Sequence, residues 1–288
     1  IKIKRARVTM LLEINNKAIR KKTTATNKDK QYLLNYYAQF KTFPLFSQVL
    51  IETRTDCNKR CSFCPQSFYK RTVESMKWTV YKKIIDSLAE IGFAGRIALL
   101  VSNEPLLEHR LLKMIKYAKK QSPRFFLDIT TNGVLLSIAK LDELFSAGLD
   151  NININDYRSD REVEPDKISD NLIEIVEKFR SNPKVSYNAR STNEVLPNYA
   201  GVIPQDYNAQ DYGFCNFPFR KLVLSVKGNI LLCCNDFKQE TNFGSIHSDS
   251  ILSIWNSPNL NAFRLSLLNE KRIGLCENCN DKQSYSIF

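Results

Sequence analysis

The sequence predicts an α/β fold, a partial, open barrel of about five or six parallel strands followed by a small cysteine-rich β-hairpin and helix domain. Apolar runs alternate with amphipathic stretches between residues 47 and 190, a pattern typical of parallel strands joined by right-handed helical crossovers. This stretch is too short for a closed eight-stranded barrel, which needs roughly 250 residues. After residue 214 the alternation ends, and five of the eight cysteines follow.

The strands and helices of the barrel can be assigned in chain order. The predicted strands are short apolar runs at residues 47–53, 96–102, 125–131, 151–155 and 185–190. Helical periodicity predicts helices outside the sheet over residues 78–92, within 107–121, over 137–147 and over 168–180. With five strands and four helices, the sequence predicts a TIM-like barrel that is incomplete.

The region after the barrel has a different pattern. Residues 191–214 are rich in Pro, Asn, Gly and Tyr and are predicted to cross over as a loop. Residues 221–234 predict a hairpin that turns at Lys227, Gly228 and Asn229, and a helix over residues 250–269 comes next. We therefore divide the chain into a basic N-terminal extension (1–46), the partial barrel (47–210) and a cysteine-organised domain (211–288).

The composition narrows the class of protein. The chain carries 42 Lys and Arg against 30 Asp and Glu, and part of this basic excess lies in residues 1–30. The basic segment is either a solvated flank or a surface that attracts an anionic partner. No helix-turn-helix, zinc-finger or RNP pattern supports nucleic acid as that partner. No apolar run is long enough to span a bilayer and no secretory signal is evident, so we expect a soluble, cytoplasmic protein without a membrane partner.

Three cysteines, Cys57, Cys61 and Cys64, lie within eight residues directly after the first strand. Parallel α/β sheets place their active sites at this carboxyl end of the strands. Eight cysteines in a reducing compartment argue against a disulfide framework, which leaves a metal site. Three thiolates on one loop can hold an iron–sulfur cluster and leave one iron open, whereas zinc would need a fourth ligand nearby.

The segment "CNKRCSFC" at the end of the first strand resembles the signature of the radical S-adenosylmethionine (SAM) enzymes, and the resemblance extends from about residue 47 to the end of the chain. In that family a reduced [4Fe–4S] cluster binds SAM at its open iron and cleaves it to a 5′-deoxyadenosyl radical, which abstracts a hydrogen atom from the substrate. The resemblance implies a cluster on Cys57, Cys61 and Cys64, bound SAM, and a reducing electron donor such as flavodoxin or ferredoxin.

The same resemblance implies a set of SAM contacts. The segment "VSNEP" resembles the turn that holds the SAM amino group, although both glycines of that turn are replaced. The family also has an aromatic residue near the adenine, polar residues after the fourth strand and a basic residue after the fifth. Loop capping, a charge at a helix N-terminus and a surface ion pair are the structural alternatives for these side chains. The implied SAM contacts are Phe63, Ser102, Asn103, Glu104, Asn153, Asn155 and Arg190.

The second group of cysteines resembles the twitch domain, a shortened SPASM extension with one auxiliary [4Fe–4S] cluster. The spacing from Gly228 to Cys233 fits its "G-x4-C" turn, and "CENC" supplies its final pair. A four-cysteine zinc ribbon is the alternative. Cys234 is left over, as a packed side chain, an alternative ligand to Cys233 or a catalytic hydrogen-atom donor. The implied cluster ligands are Cys215, Cys233, Cys276 and Cys279.

Taken with the resemblance, these features imply an oxidoreductase with two [4Fe–4S] clusters that consumes SAM and dehydrogenates or epimerises a polar, sugar-like small molecule. One alternative is a maturase that modifies a ribosomally made peptide, although only about 46 residues precede the first strand, which leaves little room for a peptide-recognition domain. A second alternative, of another class, is a non-enzymatic zinc or iron–sulfur module that binds an anionic partner.

Overall fold

The computed structural model describes residues 27–158, 168–191, 196–205 and 214–281. Seven strands are described: β1 (Gln48–Ile51), β2 (Arg96–Ala98), β3 (Phe126–Thr131), β4 (Asn151–Arg158), β5 (Val185–Ser191), β6 (Lys221–Leu224) and β7 (Ile230–Leu231). The described helices are α1 (Asn27–Phe40), α2 (Trp78–Glu90), α3 (Leu111–Gln121), α4 (Ile138–Ala147), α5 (Asp170–Phe179), α6 (Phe217–Arg220), α7 (Ile251–Trp255) and α8 (Pro258–Leu268).

The seven strands form one sheet in the order β5-β4-β3-β2-β1-β6-β7. Strands β1 to β6 are mutually parallel, and only β7 runs antiparallel, as the second strand of a hairpin with β6. The described sheet is open, with β5 and β7 at its edges. The predicted partial barrel of five or six parallel strands is therefore confirmed.

The two faces of the sheet differ in chemistry. One face packs against the helices through fully buried apolar side chains such as Ile97, Ile129 and Ile152. Helices α2 and α3 cover it with their own apolar faces. Because successive strand residues point to opposite faces, the alternate positions line the interior of the barrel. On β4 these positions are polar and only half-buried, as Asn153 and Asn155 show.

The C-terminal helical region differs from its prediction in one respect. Residues 250–269 were expected to form one helix, and this was wrong, because α7 ends at Trp255 and α8 starts at Pro258. Proline has no amide hydrogen and is favoured in the first turn of a helix. Ser257 has extended backbone and its side chain accepts a hydrogen bond from the Leu260 amide, so it is the N-cap of a new helix.

The hairpin predicted at Lys227–Asn229 is confirmed, with Gly228 in the left-handed region at φ +84°. Strand β6 also pairs along its whole length with β1, so the region after residue 214 continues the barrel sheet. The predicted domain boundary at residues 210–211 lies outside the described residues.

The N-terminal extension contributes to the core where the structure describes it. Helix α1 buries Leu33, and Phe43 packs edge-on against Phe219 with ring centroids 5.0 Å apart. The basic run within residues 1–26 lies outside the described residues. None of the described helices is long and apolar enough to cross a membrane.

Candidate active site

The first cysteine set lies on the loop that leaves β1. Cys57, Cys61 and Cys64 are half-buried, and no disulfide joins any of the eight cysteines, all of which lie in the described residues. Burial raises the pKa of each of the three thiols, and that of Cys64 to about 11. Charges on Cys57 and Cys61 raise the pKa of Cys64 further, so the three sulfurs lie within electrostatic reach of one another.

Hydrogen bonds hold this loop in shape. The Cys64 amide donates to the Cys61 carbonyl at 3.0 Å, and the Ser67 hydroxyl donates to the same carbonyl at 2.7 Å. The buried Gln66 amide donates to the carbonyls of Thr55 and Ser102, which ties the loop to the chain after β2. The loop is therefore a folded cradle for the three thiols.

Two further strands reach the loop from the side. The Asn132 side-chain amide, just after β3, donates to Asn58 Oδ1 at 2.7 Å and toward Cys57 Sγ at 3.7 Å. The Lys59 ammonium group donates to the Tyr157 carbonyl on β4 at 2.7 Å. Sequence reasoning missed Asn132, and nothing in the local pattern "TTNG" distinguishes it from an ordinary turn residue.

Two of the three side chains predicted as SAM contacts in the turn after β2, those of Asn103 and Glu104, form hydrogen bonds within the protein. Asn103 accepts from the Val101 amide and donates to Thr53. Glu104 is 2% exposed, and burial raises its pKa. Its carboxylate accepts hydrogen bonds from the Leu106 and Asn132 amides and the Thr131 hydroxyl.

Ser102 differs from its two neighbours in this turn. Its hydroxyl is buried, and it has no hydrogen-bond partner among the described residues. A buried hydroxyl without a partner is unfavourable, so a bound ligand that accepts or donates there would be stabilised. Of the three predicted positions in the turn, Ser102 is the one with an unused polar atom.

An aromatic pair lies beside the thiols. Phe63 is 7% exposed, and its ring centroid is 5.1 Å from that of Tyr157. Burial raises the pKa of the Tyr157 phenol, and the nearby Arg190 charge lowers it in part. The predicted residues Phe63 and Arg190 are thus both neighbours of Tyr157, Phe63 through its ring and Arg190 as its paired residue on β5.

Tyr157 itself was missed by the sequence analysis. The predicted strand ended at Asn155, whereas β4 continues to Arg158. Tyr157 is the next residue on the same face after Asn155, whose amide donates to the tyrosine hydroxyl at 3.2 Å. The alternation in "NININDYR" could have indicated it, had the period been followed past the first charged residue.

The predicted asparagines of β4 belong to a polar network along the barrel interior. The Asn153 amide donates to Asp128 Oδ2 at 3.2 Å, and Arg96 donates to the same oxygen at 2.8 Å. Asn188 on β5 donates to Asn155 at 3.4 Å. The other Asp128 oxygen is buried without a hydrogen-bond partner among the described residues. This interior is therefore rich in groups that both donate and accept hydrogen bonds.

The second cysteine set converges from three separate segments. Burial raises the pKa of Cys233 strongly, and charges on Cys234, Cys276, Cys279 and Cys215 raise it further. Burial raises the pKa of Cys215 to about 12, and it also raises the pKa of Cys276 and Cys279. The four cysteines predicted as auxiliary ligands therefore lie within electrostatic reach of one another, and a set of four thiolates can saturate a cluster.

Polar side chains surround this second set. The Asn235 amide donates toward Cys279 Sγ at 3.8 Å and to Asp281 at 2.8 Å. Arg272 Nη1 donates to the Cys279 carbonyl at 2.8 Å. In the described part of the chain, no three His, Cys, Asp or Glu side chains are placed to hold a single metal ion. The soft donors of both sets nevertheless suit iron–sulfur clusters.

Cys234, the unassigned cysteine, lies next to the second set. It is half-buried, and the Lys221 ammonium group is 3.9 Å from its sulfur. Burial raises the pKa of the Tyr199 phenol, and charges on Cys64 and Cys234 both raise it further. Tyr199 is therefore within electrostatic reach of both Cys64, in the first set, and Cys234.

Two segments of the chain match protein families. Residues 51–186 match the Radical SAM superfamily, and residues 215–280 match SPASM, an iron–sulfur cluster-binding domain. The chain belongs to the radical SAM superfamily. It is 31% identical over 253 residues to the S-adenosyl-L-methionine-dependent 2-deoxy-scyllo-inosamine dehydrogenase of Niallia circulans. That alignment covers 82% of this chain and 94% of the dehydrogenase.

Solved structures give the same result. The crystal structure of BtrN in complex with AdoMet and 2-DOIA superposes with a TM-score of 0.72 at 28% identity, covering 83% of this chain and 95% of that one. SuiB from Streptococcus suis, bound to its precursor peptide SuiA, gives a TM-score of 0.53 at 12% identity over 81% of this chain and 69% of its own, which shows the fold alone.

A further relative matches only in part. The GTP 3′,8-cyclase of Chlorobaculum tepidum is 33% identical over 114 residues, which is 40% of this chain and 34% of the cyclase.

The family matches and the similarity to the dehydrogenase confirm the predicted family, enzyme class and cofactors: the chain is a radical SAM enzyme that uses SAM and iron–sulfur clusters. The assignment of individual residues to SAM and to the clusters stays a prediction.

Proposed function

We propose that this enzyme dehydrogenates a polar, polyol-like small molecule, converting a secondary alcohol into a ketone. The observation that carries the proposal is the second set of four cysteines, of which Cys215 is half-buried and the other three are buried. Four thiolates on one cluster would leave no ligand position for a substrate, which suits electron transfer. The similarity to a SAM-dependent aminocyclitol dehydrogenase extends over 94% of that protein and supports it.

The residues divide the work as follows. Cys57, Cys61 and Cys64 would hold the SAM-binding cluster, which with SAM supplies a 5′-deoxyadenosyl radical. Phe63 and Tyr157, whose rings pack against each other, would lie on one side of the adenine, since an aromatic face offers stacking area in a buried place. The unpaired Ser102 hydroxyl, with the Asn103 and Glu104 backbone, would face the SAM amino group. Arg190 would pair with the SAM carboxylate, a bidentate match for a guanidinium. Cys215, Cys233, Cys276 and Cys279 would hold the auxiliary cluster.

The barrel interior supports a hydroxyl-rich substrate. Amides from Asn153, Asn155 and Asn188 and the hydroxyl of Ser186 line neighbouring positions on β4 and β5. Each of these groups both donates and accepts hydrogen bonds, as a ring of hydroxyl and amino substituents requires. These side chains already hydrogen-bond to one another, and a hydroxyl-rich substrate could exchange hydrogen bonds with them, whereas an apolar substrate could form none.

The reaction is redox-neutral overall, because the electron that SAM cleavage takes up is matched by the electron that the substrate radical gives up. The substrate carbon first loses a hydrogen atom, and the resulting radical then loses one electron and its hydroxyl proton to form the carbonyl. A cluster held by Cys215, Cys233, Cys276 and Cys279 would accept that electron and would pass it to a one-electron carrier before the next turnover. A separate one-electron reductant of the flavodoxin or ferredoxin type would supply the electron that SAM cleavage needs.

The proposal is tested by assaying the anaerobically reconstituted chain with SAM, dithionite and 2-deoxy-scyllo-inosamine, together with other aminocyclitols. We expect about eight irons per chain, from two four-iron clusters, and equal amounts of 5′-deoxyadenosine and ketone by mass spectrometry. Cys57→Ala should abolish SAM cleavage, whereas Cys276→Ala should keep cleavage and lose the ketone. Bound zinc, or 5′-deoxyadenosine without any ketone from the whole panel, would overturn the proposal.

Epimerisation is the second candidate, because Cys234 lies beside Lys221 and near Tyr199. A thiol there would return a hydrogen atom to the substrate radical, and the same assay separates the two outcomes. If the enzyme dehydrogenates, Cys234→Ala should still form the ketone. If it epimerises, the wild-type chain should give an inverted alcohol containing solvent deuterium, and Cys234→Ala should give none.

A further inference from the structure

One arginine lies directly against the second cysteine set. Arg272 follows α8, and it donates through Nη1 to the Cys279 carbonyl at 2.8 Å and through Nη2 to the Asp281 carbonyl at 3.4 Å. It is half-buried, so its charge is only partly screened by water. That charge lowers the pKa of Cys215, Cys276 and Cys279, although burial raises each of them more. The guanidinium therefore acts on three of the four proposed ligands at once.

Two carboxylates affect the pKa of the same thiols in the opposite direction to Arg272. Asp281, 7% exposed, accepts from the Asn235 amide at 2.8 Å, and its charge raises the pKa of Cys215 and Cys279. Asp236, 2% exposed, raises the pKa of Cys276.

Asp236 is already committed to local structure. Its carboxylate accepts hydrogen bonds from the Glu240 amide and from the amide and hydroxyl of Thr241, which stabilise the turn after Cys234. Arg272 and Asp281 are thus the oppositely charged pair that brackets the segment containing Cys279.

We propose that Arg272 is a positioning residue that raises the reduction potential of the auxiliary cluster, and that Asp281 lowers this potential. A cluster gains one negative charge when it is reduced, so a nearby cation favours the reduced form and a nearby anion disfavours it. Hydrogen bonds and charges around the ligands are the means by which proteins adjust such potentials.

This inference rests on the proposed function for the origin of the electron. A substrate radical that has lost its hydrogen atom must give up one electron to the auxiliary cluster and one hydroxyl proton to solvent or a base, which leaves the carbonyl. Arg272 increases the driving force of that transfer. Without it, SAM would be consumed with a smaller yield of ketone per 5′-deoxyadenosine.

The test is a redox titration followed by electron paramagnetic resonance, on the full-length reconstituted chain with Cys57, Cys61 and Cys64 changed to Ala. Only the auxiliary cluster contributes a signal in this background, and no substrate is needed. We expect Arg272→Gln to shift the midpoint potential to lower values and Asp281→Asn to higher values. Arg272→Lys, which keeps the charge, should stay close to the parent.

Lys271→Gln is the matched control, because it removes the same charge from an exposed neighbouring residue and should leave the potential unchanged. Unchanged potentials in both Arg272→Gln and Asp281→Asn at full iron content would overturn the inference. If Arg272→Gln loses iron, Asp281→Asn alone decides, and an unshifted potential in it overturns the inference. A shifted potential in an enzyme that forms no ketone would contradict the proposed function and leave this inference standing.

Discussion

Asp56 and Arg54 form a bidentate ion pair at the start of the first cysteine loop. Arg54 Nε is 2.6 Å from Asp56 Oδ1, and Nη2 is 2.8 Å from Oδ2. The two side chains are 15% and 20% exposed. The Glu104 amide donates to the Asp56 carbonyl at 3.0 Å, so the residue before Cys57 is fixed from both sides. A bidentate pair with little exposure is stronger than an ordinary surface ion pair.

Asp56→Asn should lower the free energy of unfolding of the cluster-free chain by roughly 1–2 kcal/mol near neutral pH. The hydrogen bond from Arg54 lowers the pKa of Asp56, so its contribution is present above the unfolded-state pKa and is lost as pH falls through the folded-state pKa. Urea unfolding from about pH 7 to about pH 3 should show the two proteins converging in acid. Glu177→Gln, an exposed change on α5, is the control, and a pH-independent difference would contradict the prediction.

Cysteine spacing could predict that the cysteines of each set lie near one another, because thiol sets are local in sequence or carry their own motif. Arg272 has no such signal, and Tyr157 is indicated only by the alternation of β4. Each is an ordinary residue whose position depends on chain packing, Tyr157 on the length of β4 and Arg272 on the approach of two segments. Glu104 shows the reverse case, because its motif predicted a ligand contact while its carboxylate accepts three protein hydrogen bonds.

At the scale of elements, the β6–β7 hairpin determines where Cys233 lies. Its turn residue Gly228 has φ +84°, a conformation in which only glycine is unstrained. A Cβ added there would lie 2.9 Å from Ile246 Cγ1 and 3.1 Å from Val80 Cγ1. Both contacts are shorter than side chains tolerate without movement.

Gly228→Ala should therefore destabilise the fold by roughly 2 kcal/mol through strain and crowding together. Since Cys233 follows five residues later, we also expect less iron to be retained at the auxiliary site after reconstitution. Gly92→Ala is the matched control, because Gly92 has φ +69° but nothing within 4 Å of its added Cβ. Equal losses in thermal unfolding and iron content for the two variants would show that crowding at the hairpin has no effect.

The sequence predicted where the strands and helices of the barrel lie better than it predicted which strands pair and where the C-terminal helices break. Periodicity and turn residues are local signals, so the strands and most helices were located correctly. Two features were not local. "KLVLSV" indicates a strand but cannot show that β6 pairs with β1, and the break between α7 and α8 depends on Ser257 capping, a signal outweighed by the surrounding apolar residues.

On the scale of the whole molecule, the C-terminal region shares one core with the barrel. Trp255 on α7 packs edge-on against Phe46 with ring centroids 5.0 Å apart, and its indole donates to the Pro44 carbonyl at 3.1 Å. Val49 on β1 and Leu222 on β6 are paired and almost completely buried. Separating the two halves would expose this apolar surface and leave β1 as an unpaired edge.

The two tryptophans make this coupling measurable, because Trp78 lies on α2 of the barrel and Trp255 on α7. We expect Trp78→Phe and Trp255→Phe, each with one remaining tryptophan, to show fluorescence transitions in urea that coincide with the loss of helical circular dichroism in the same variant. Trp255→Phe should shift its whole transition to lower urea, since it loses a buried hydrogen bond, without splitting it. If the Trp255 signal in Trp78→Phe changed at lower urea than the circular dichroism, the C-terminal region would unfold independently. The shared sheet would then not couple the barrel to the second cysteine set.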